Sequence, residues 1–154
     1  PASVWFTKQY PPLKWASFIN KLPAGYSIYI LGGKDDRSLG EALIQMTDSK
    51  APVNFCGELS FLQSAALMER AHMNYVNDSA PLHFASSMNA PVTVIYCSTI
   101  PDFGYGPLSD MQYIIEHPGP LNCRPCGLHG HAACPQGHFR CALDITDEQL
   151  LATI

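Results

Sequence analysis

Apolar positions along the chain follow two rhythms, and the rhythms alternate. Val4-Trp5-Phe6 is a short apolar run that predicts a strand. Pro12 to Leu22 repeats apolar residues at helical spacing, with Leu13, Trp15, Phe18, Ile19 and Leu22 on one side and Pro in the first turn. Pro23-Ala24-Gly25 ends that helix, and Tyr26 to Leu31 predicts a buried strand. Gly32-Gly33-Lys34-Asp35-Asp36 is a turn, Ser38 to Met46 a second helix, and Val53-Asn54-Phe55 a short strand. Ser60-Phe61-Leu62-Gln63 has capping-box spacing and opens a helix to about Ala71. Asn74-Tyr75-Val76 predicts a strand, Pro81 to Met88 a helix, and Pro91 to Tyr96 the most β-branched strand of all.

Strands and helices alternating at this spacing imply an α/β fold: a Rossmann-like parallel sheet of five or six strands with helices on both faces. After Tyr96 the rhythm breaks. Cys97 to Gln112 carries Pro101, Gly104, Gly106 and Pro107 and reads as a loop, with Tyr113-Ile114-Ile115 as one further strand. Residues 117–141 are rich in Pro, Gly, Cys and His and read as irregular. Thr146-Asp147-Glu148-Gln149 is a second capping box, opening a helix that runs to Ile154. Residues 1–116 thus form the sheet domain, and residues 117–154 a Cys/His-rich loop and helix packed on it.

The chain has 154 residues, 47% of them hydrophobic, enough for one domain with a real core. Only 14% are charged, against roughly 25% in an average soluble domain, so much of the chain is expected to be interior, or a surface that meets another domain. The net charge of −4 argues against a nucleic-acid partner held by phosphate neutralisation. No apolar run approaches the roughly 20 residues of a transmembrane helix, and no basic-then-apolar leader opens the chain. The start at Pro1, without Met, fits a segment cut from a longer protein.

Four groups of residues could carry chemistry. Asn77-Asp78-Ser79-Ala80-Pro81-Leu82-His83 joins a strand to a helix, where free backbone N–H groups and the helix dipole suit a phosphate. Asp78 or Ser79 can cap that helix, and His83 follows in its first turn; an ordinary N-cap with a chance His explains the same residues. Lys8 follows the first apolar run and could face an anion, or be a solvated loop lysine. Asp35 and Asp36 follow the second strand, where a carboxylate can hold ribose hydroxyls or simply close a turn. Neither G-x-G-x-x-G nor a P-loop occurs.

The fourth group is Cys123, Cys126, Cys134 and Cys141, within 19 residues and interleaved with His129, His131 and His138. C-x-x-C is half of a tetrahedral zinc site, whereas Cys134-x6-Cys141 is a less regular second half. Structural zinc and free or disulfide-linked cysteines both remain open; a catalytic metal has the least support.

Together these residues resemble glycosyltransferase family 9, the lipopolysaccharide heptosyltransferases. The run Cys56-Gly57-Glu58-Leu59-Ser60-Phe61-Leu62, the motif from Asp78 to His83, and Ala90-Pro91-Val92 followed by Ser98-Thr99 resemble the family's G-x-L-S-L, D-[ST]-G-x-x-H and G-P-T segments. Lys8 lies in a segment similar to K-x-W-P, with Tyr10 for Trp, and the tail resembles C-x-P-C…C-x-x-G-H-x-x-C. The resemblance implies the C-terminal, donor-binding half of a two-lobed GT-B enzyme. Its donor would be an ADP-sugar, ADP-heptose in the family, and its acceptor a lipid A–core glycan held by an absent N-terminal domain. It implies no cofactor for catalysis and a place at the cytoplasmic face of the inner membrane of a Gram-negative bacterium.

By position, the resemblance gives catalytic roles to Lys8, Asp78 and His83. Ser79 and Ala80 would hold the diphosphate, with Ser3 near it. Asp35 or Asp36 would hold the ribose, and the segment around Leu59 and Ser60 would line the base pocket. Ala80 stands where the family has glycine, which matters if the position needs a positive φ. Two other identities compete: another GT-B enzyme using a UDP- or GDP-sugar, and a zinc-stapled interaction module without catalysis.

Overall fold

The computed structural model describes residues 1–48 and 51–154. Five strands occur among them: β1 (Tyr29–Ile30), β2 (Val53–Asn54), β3 (Asn74–Asn77), β4 (Val92–Tyr96) and β5 (Gln112–Glu116). All neighbours run parallel, in two ladders: β1 beside β2, and β3-β4-β5 with β4 central. Six α-helices accompany them, of which α2, α3 and α4 lie between strands: α1 (Pro12–Lys21), α2 (Arg37–Gln45), α3 (Phe61–Glu69), α4 (Ala80–Ser87), α5 (Arg140–Leu143) and α6 (Asp147–Leu151).

Alternation along β4 divides the core in two. Ile95 and Cys97 join Trp15, Phe18 and Ile19 of α1, Leu43 of α2, Ala142 of α5 and Leu150 of α6. Val92, Val94 and Tyr96 point the opposite way and join Met68 of α3 and Leu82 and Ala85 of α4. Successive strand residues face opposite sides, so a strand buried throughout must be apolar on both. The sheet is therefore covered on two faces, as the alternating pattern predicts. Thr93 is the polar residue inside β4, and its hydroxyl is matched by donating to Thr153 Oγ1 at 2.9 Å.

Local signals place the helix starts. Ser60 and Gln63 bond reciprocally: the Gln63 N–H donates to Ser60 Oγ and the Ser60 N–H to Gln63 Oε1. Thr146 and Gln149 do the same at α6. Gln149 also donates to the Glu116 carbonyl at 3.0 Å, tying α6 to the end of β5. The helix closes at Leu151, short of the chain's end.

The first apolar run differs from expectation. Val4-Trp5-Phe6 makes no strand; Phe6–Lys8 is a 3-10 turn, and Val4 is 92% exposed. Among the described residues no ladder lies beside them to take their N–H and C=O groups, so apolar content alone cannot make them a strand. The strand predicted over Tyr26 to Leu31 shortens to Tyr29–Ile30.

The tail crosses the carboxyl ends of the strands. Arg124 fans its guanidinium over the end of β4, donating to the carbonyls of Cys97 at 2.8 Å and Thr99 at 2.6 Å, and pairs with Glu116. The Cys126 N–H donates to the Ser98 carbonyl at 2.7 Å. Gly130 has a φ of +77°, and a Cβ there would lie 2.8 Å from Thr7 Oγ1 and 3.1 Å from Ser98 Oγ. Gly130→Ala should therefore cost about 1–3 kcal/mol, from overpacking and left-handed strain together. Denaturant unfolding of the two proteins measures it.

A buried carboxylate helps dock α6 on α1. Asp147, 6% exposed, accepts from Ser17 Oγ at 2.6 Å and pairs with Lys21 Nζ at 2.8 Å. Burial would raise its pKa, but the bonds from Lys21 and Ser17 outweigh it and hold the carboxyl below the usual range. A depressed folded pKa gives stability that is full above the unfolded value near ~3.9 and lost as pH falls through the folded one. Asp147→Asn should cost about 1–3 kcal/mol in urea unfolding at neutral pH. The gap between variant and parent should shrink once the pH falls below that of an ordinary carboxyl.

Candidate functional site

The carboxyl ends of β3 and β4 meet at Asp78. This residue follows β3, is 6% exposed, and accepts from two partners on other segments. Thr99, just past β4, donates from Oγ1 to Asp78 Oδ2 at 2.6 Å. Lys8 Nζ lies 2.8 Å from the same oxygen, with only 16% of its side chain exposed. Lys8 is thus no solvated loop lysine. One carboxylate oxygen carries both contacts, which fixes the ammonium at the mouth of the β3–α4 turn.

A hydroxyl layer supports this pair. Ser98 donates to Thr7 Oγ1 at 3.0 Å, and the same oxygen accepts the His131 N–H at 2.8 Å. Thr7 is itself buried, so the 3-10 turn carrying Lys8 is pinned from beneath by β4 and from above by the tail.

Asn77 secures the other side of the turn. Its Oδ1 accepts the Tyr10 N–H at 3.0 Å, and its Nδ2 donates to the Pro1 carbonyl at 2.6 Å. Gln9 Nε2 donates to the Ser3 carbonyl at 2.6 Å. Residues 1–3 therefore lie against the end of β3, which places Ser3 beside the turn, held by its backbone.

α4 begins without a side-chain cap. Asp78 is taken by Lys8 and Thr99, and Ser79 Oγ donates to the Asn77 carbonyl at 3.4 Å instead of accepting from the helix. This corrects the expected capping role of both residues. The Leu82 N–H closes on the Ser79 carbonyl, and Pro81 has no N–H to place. The amides of Ser79 and Ala80 have no partner among the described residues. Uncapped amides at the positive end of a helix are a ready anion site. Ala80 is the first helical residue and is not among the positive-φ positions, so its Cβ strains nothing there.

The remaining predicted residues are less tightly gathered. His83 is exposed on the first turn of α4 and has no side-chain hydrogen bond or ion pair among the described residues. Asp36 is engaged, its Oδ2 accepting the Gly33 N–H at 2.8 Å, whereas Asp35 is exposed on the same turn. Leu59 is half-buried, and Ser60 caps α3 with its side chain. Phe61 packs on Phe84 with ring centroids 5.4 Å apart, joining α3 to α4, yet is 76% exposed; Leu62 is 83% exposed.

The tail cysteines do not form a ligand set. No group of three or more His, Cys, Asp or Glu among the described residues is arranged to hold a metal ion, and all six cysteines are free thiols. Burial pushes the Cys141 thiol up to about 11, with Cys134, Cys123 and Cys126 adding to the shift. Cys134 Sγ accepts the Phe139 N–H, and Cys123 Sγ lies 3.7 Å from His138 Nε2.

Pattern reading assigned no task to Thr7, Asn77, Thr99 or Arg124, although the last three anchor the turn and the strand end. Thr99 and Asp78 are 21 residues apart and Arg124 and Thr99 are 25 apart, so only the parallel topology brings them together.

The chain matches the model of glycosyltransferase family 9 (heptosyltransferase) over residues 1–132. It is 26% identical over 152 residues to lipopolysaccharide heptosyltransferase 2 of Escherichia coli K12, covering 94% of this chain and 41% of that protein. It is 28% identical over 113 residues to lipooligosaccharide heptosyltransferase 2 of Haemophilus influenzae, covering 71% of this chain and 32% of that protein. The fold superposes on the E. coli ADP-heptose LPS heptosyltransferase II structure with a TM-score of 0.79 at 23% identity, over 99% of this chain and 43% of that one. A family 9 glycosyl transferase from Veillonella parvula gives 0.80 at 21% identity, over 99% and 42%. The chain thus spans about two fifths of the first of these relatives. With the family pattern matched from the Lys8 turn through the α4 start to the tail, this chain belongs to glycosyltransferase family 9, the heptosyltransferases.

Proposed function

We propose that this chain is the donor-binding half of a heptosyltransferase-like glycosyltransferase, taking a sugar from an ADP-sugar, ADP-heptose in the leading reading. The acceptor, a lipid A–core glycan, and the base that activates it belong to a partner lobe outside this sequence. The observation that carries the reading is the uncapped start of α4 beside the Lys8–Asp78 pair.

The chemistry asked of this half is to hold a diphosphate and stabilise it as it leaves. The Ser79 and Ala80 amides would bind its oxygens along the helix dipole. Lys8 would share its charge between Asp78 and the departing diphosphate, a cation placed before charge develops. Asp78 and Thr99 act as positioning residues, holding Lys8 within reach. His83 would contact phosphate or sugar from the helix's first turn. Asp35 has an exposed carboxylate for ribose hydroxyls, whereas Asp36 would first have to release Gly33. Ser3 would line the phosphate side, and Leu59 and Ser60 the base side.

Val4, Phe61 and Leu62 stay exposed on loops and helix starts beyond the strand ends, an apolar rim suited to a facing lobe. Closing that lobe would exclude water from the diphosphate and strengthen every contact to it. No helix of the described residues is long and apolar enough to cross a membrane. Action at the cytoplasmic face of an inner membrane would then rest on a peripheral contact.

Titration calorimetry with ADP, UDP and GDP tests the reading. ADP should bind, and Lys8→Ala and His83→Ala should each weaken it about tenfold, the ~1.4 kcal/mol of one charge-assisted contact. Preference for UDP or GDP would keep the site and change the donor. Undiminished ADP binding in both variants, or no binding by the folded parent, would contradict it. Thr99→Val should lower stability by about 1–2 kcal/mol and weaken ADP binding less than Lys8→Ala does. Unfolding and calorimetry on that one variant separate the two effects.

A further inference from the structure

A thiol and an imidazole meet in the tail, apart from the candidate donor site. Cys123 Sγ lies 3.7 Å from His138 Nε2. The other ring nitrogen assigns the proton between them. His138 Nδ1 accepts the N–H of Arg140, the first residue of α5, at 3.1 Å. A ring nitrogen that accepts from an amide holds no proton, so the neutral ring carries its proton on Nε2. His138 Nε2–H therefore donates to the Cys123 sulfur. A donor aimed at sulfur favours the thiolate, the nucleophilic form, over the thiol.

The pair opens into a recess of about 350 Å³, lined also by Asn122, Gln136 and Arg140. Lys8, Asp78 and the residues of the α4 start are not among its walls. Cys123 is half-buried, whereas Asn122, Gln136, His138 and Arg140 are exposed, so a small molecule can reach the sulfur from solvent. The Asn122 and Gln136 amides face the recess as donors and acceptors suited to peptide-like groups. The other thiols are placed differently. Cys56, Cys97 and Cys141 are buried, and burial pushes each of them up. Burial does the same to Cys126, with the charges of Cys134 and Cys123 adding to it. Cys134 accepts the Phe139 N–H at 3.4 Å but stands outside the recess. Of the six cysteines, Cys123 alone combines an imidazole N–H with this open approach.

We propose that Cys123 is a thiol-modification site that exchanges with low-mass, peptide-like disulfides, its sulfur held for reaction by the His138 N–H. The Cys123 S–H gives its proton to water, and the sulfur attacks one sulfur of the incoming disulfide. A new S–S bond joins Cys123 to that half. The incoming S–S bond breaks, and the other half leaves as a thiolate that takes a proton from water. Cys123 is oxidised and the departing half is reduced, with no further oxidant. His138 keeps its proton throughout. A metal ion on Nε2 is a different case, since the ring proton would move to Nδ1 and the bond from Arg140 would be lost.

Glutathione disulfide, added to the reduced full chain and quenched in acid at early times, tests this by peptide mass mapping. The mixed disulfide should form on Cys123 about tenfold faster than on Cys126 or Cys134. This arm needs no variant to fold. His138→Ala should slow Cys123 about tenfold and leave the Cys134 rate unchanged, with circular dichroism checking that the variant is folded. Cys123→Ser should abolish the fast phase. A first adduct on Cys126 or Cys134, or equal rates at all of them, would overturn the inference. So would a Cys123 that reacts as fast in folded His138→Ala as in the parent. Reaction at Cys123 only after a chelator is added would assign the sulfur to a metal ion, again against the inference.

Discussion

One carboxylate oxygen at the end of β3 organises this protein's candidate site. Asp78 Oδ2 accepts from Thr99 and pairs with Lys8, and three chain segments converge on it. The two contacts are short and largely shielded from water, so each is worth more than an exposed pair. Beside this pair α4 starts without a side-chain cap, and Ser79 is turned back toward Asn77.

The rest of the fold serves to hold that edge still. β4, apolar on both faces, anchors Ser98 and Thr99 at its end. The tail then locks the same strand end through Arg124 and the Thr7 turn through His131. In the proposed function the Lys8 ammonium would benefit from such fixing, since a preorganised charge needs no rearrangement as a bond to a diphosphate breaks. Val4, Phe61 and Leu62 leave exposed apolar side chains on this edge.

What could be read without coordinates was what is local. The reciprocal bonds at Ser60–Gln63 and Thr146–Gln149 span three residues, and the Pro-led start of α1 spans one turn, so residue order alone reveals them. β4 was legible because its apolar content matches burial on both faces. The family motif placed Lys8, Asp78 and Ala80 in one region, and Lys8 and Asp78 do meet. The Thr99 hydroxyl, the Arg124 fan and the Gly130 contact were not legible, because each depends on segments brought together only by the parallel topology. Val4-Trp5-Phe6 misled for the same reason: a strand needs a neighbour, and its own side chains cannot supply one.

The central claim is that the open start of α4 is where the donor's diphosphate sits. Amide chemical-shift mapping during addition of ADP tests it most directly, since it reports position as well as binding. The largest shifts should fall on the Ser79 and Ala80 amides, with Lys8 and Thr99 following. Saturable binding whose shifts cluster elsewhere, leaving Ser79 and Ala80 unmoved, would contradict it.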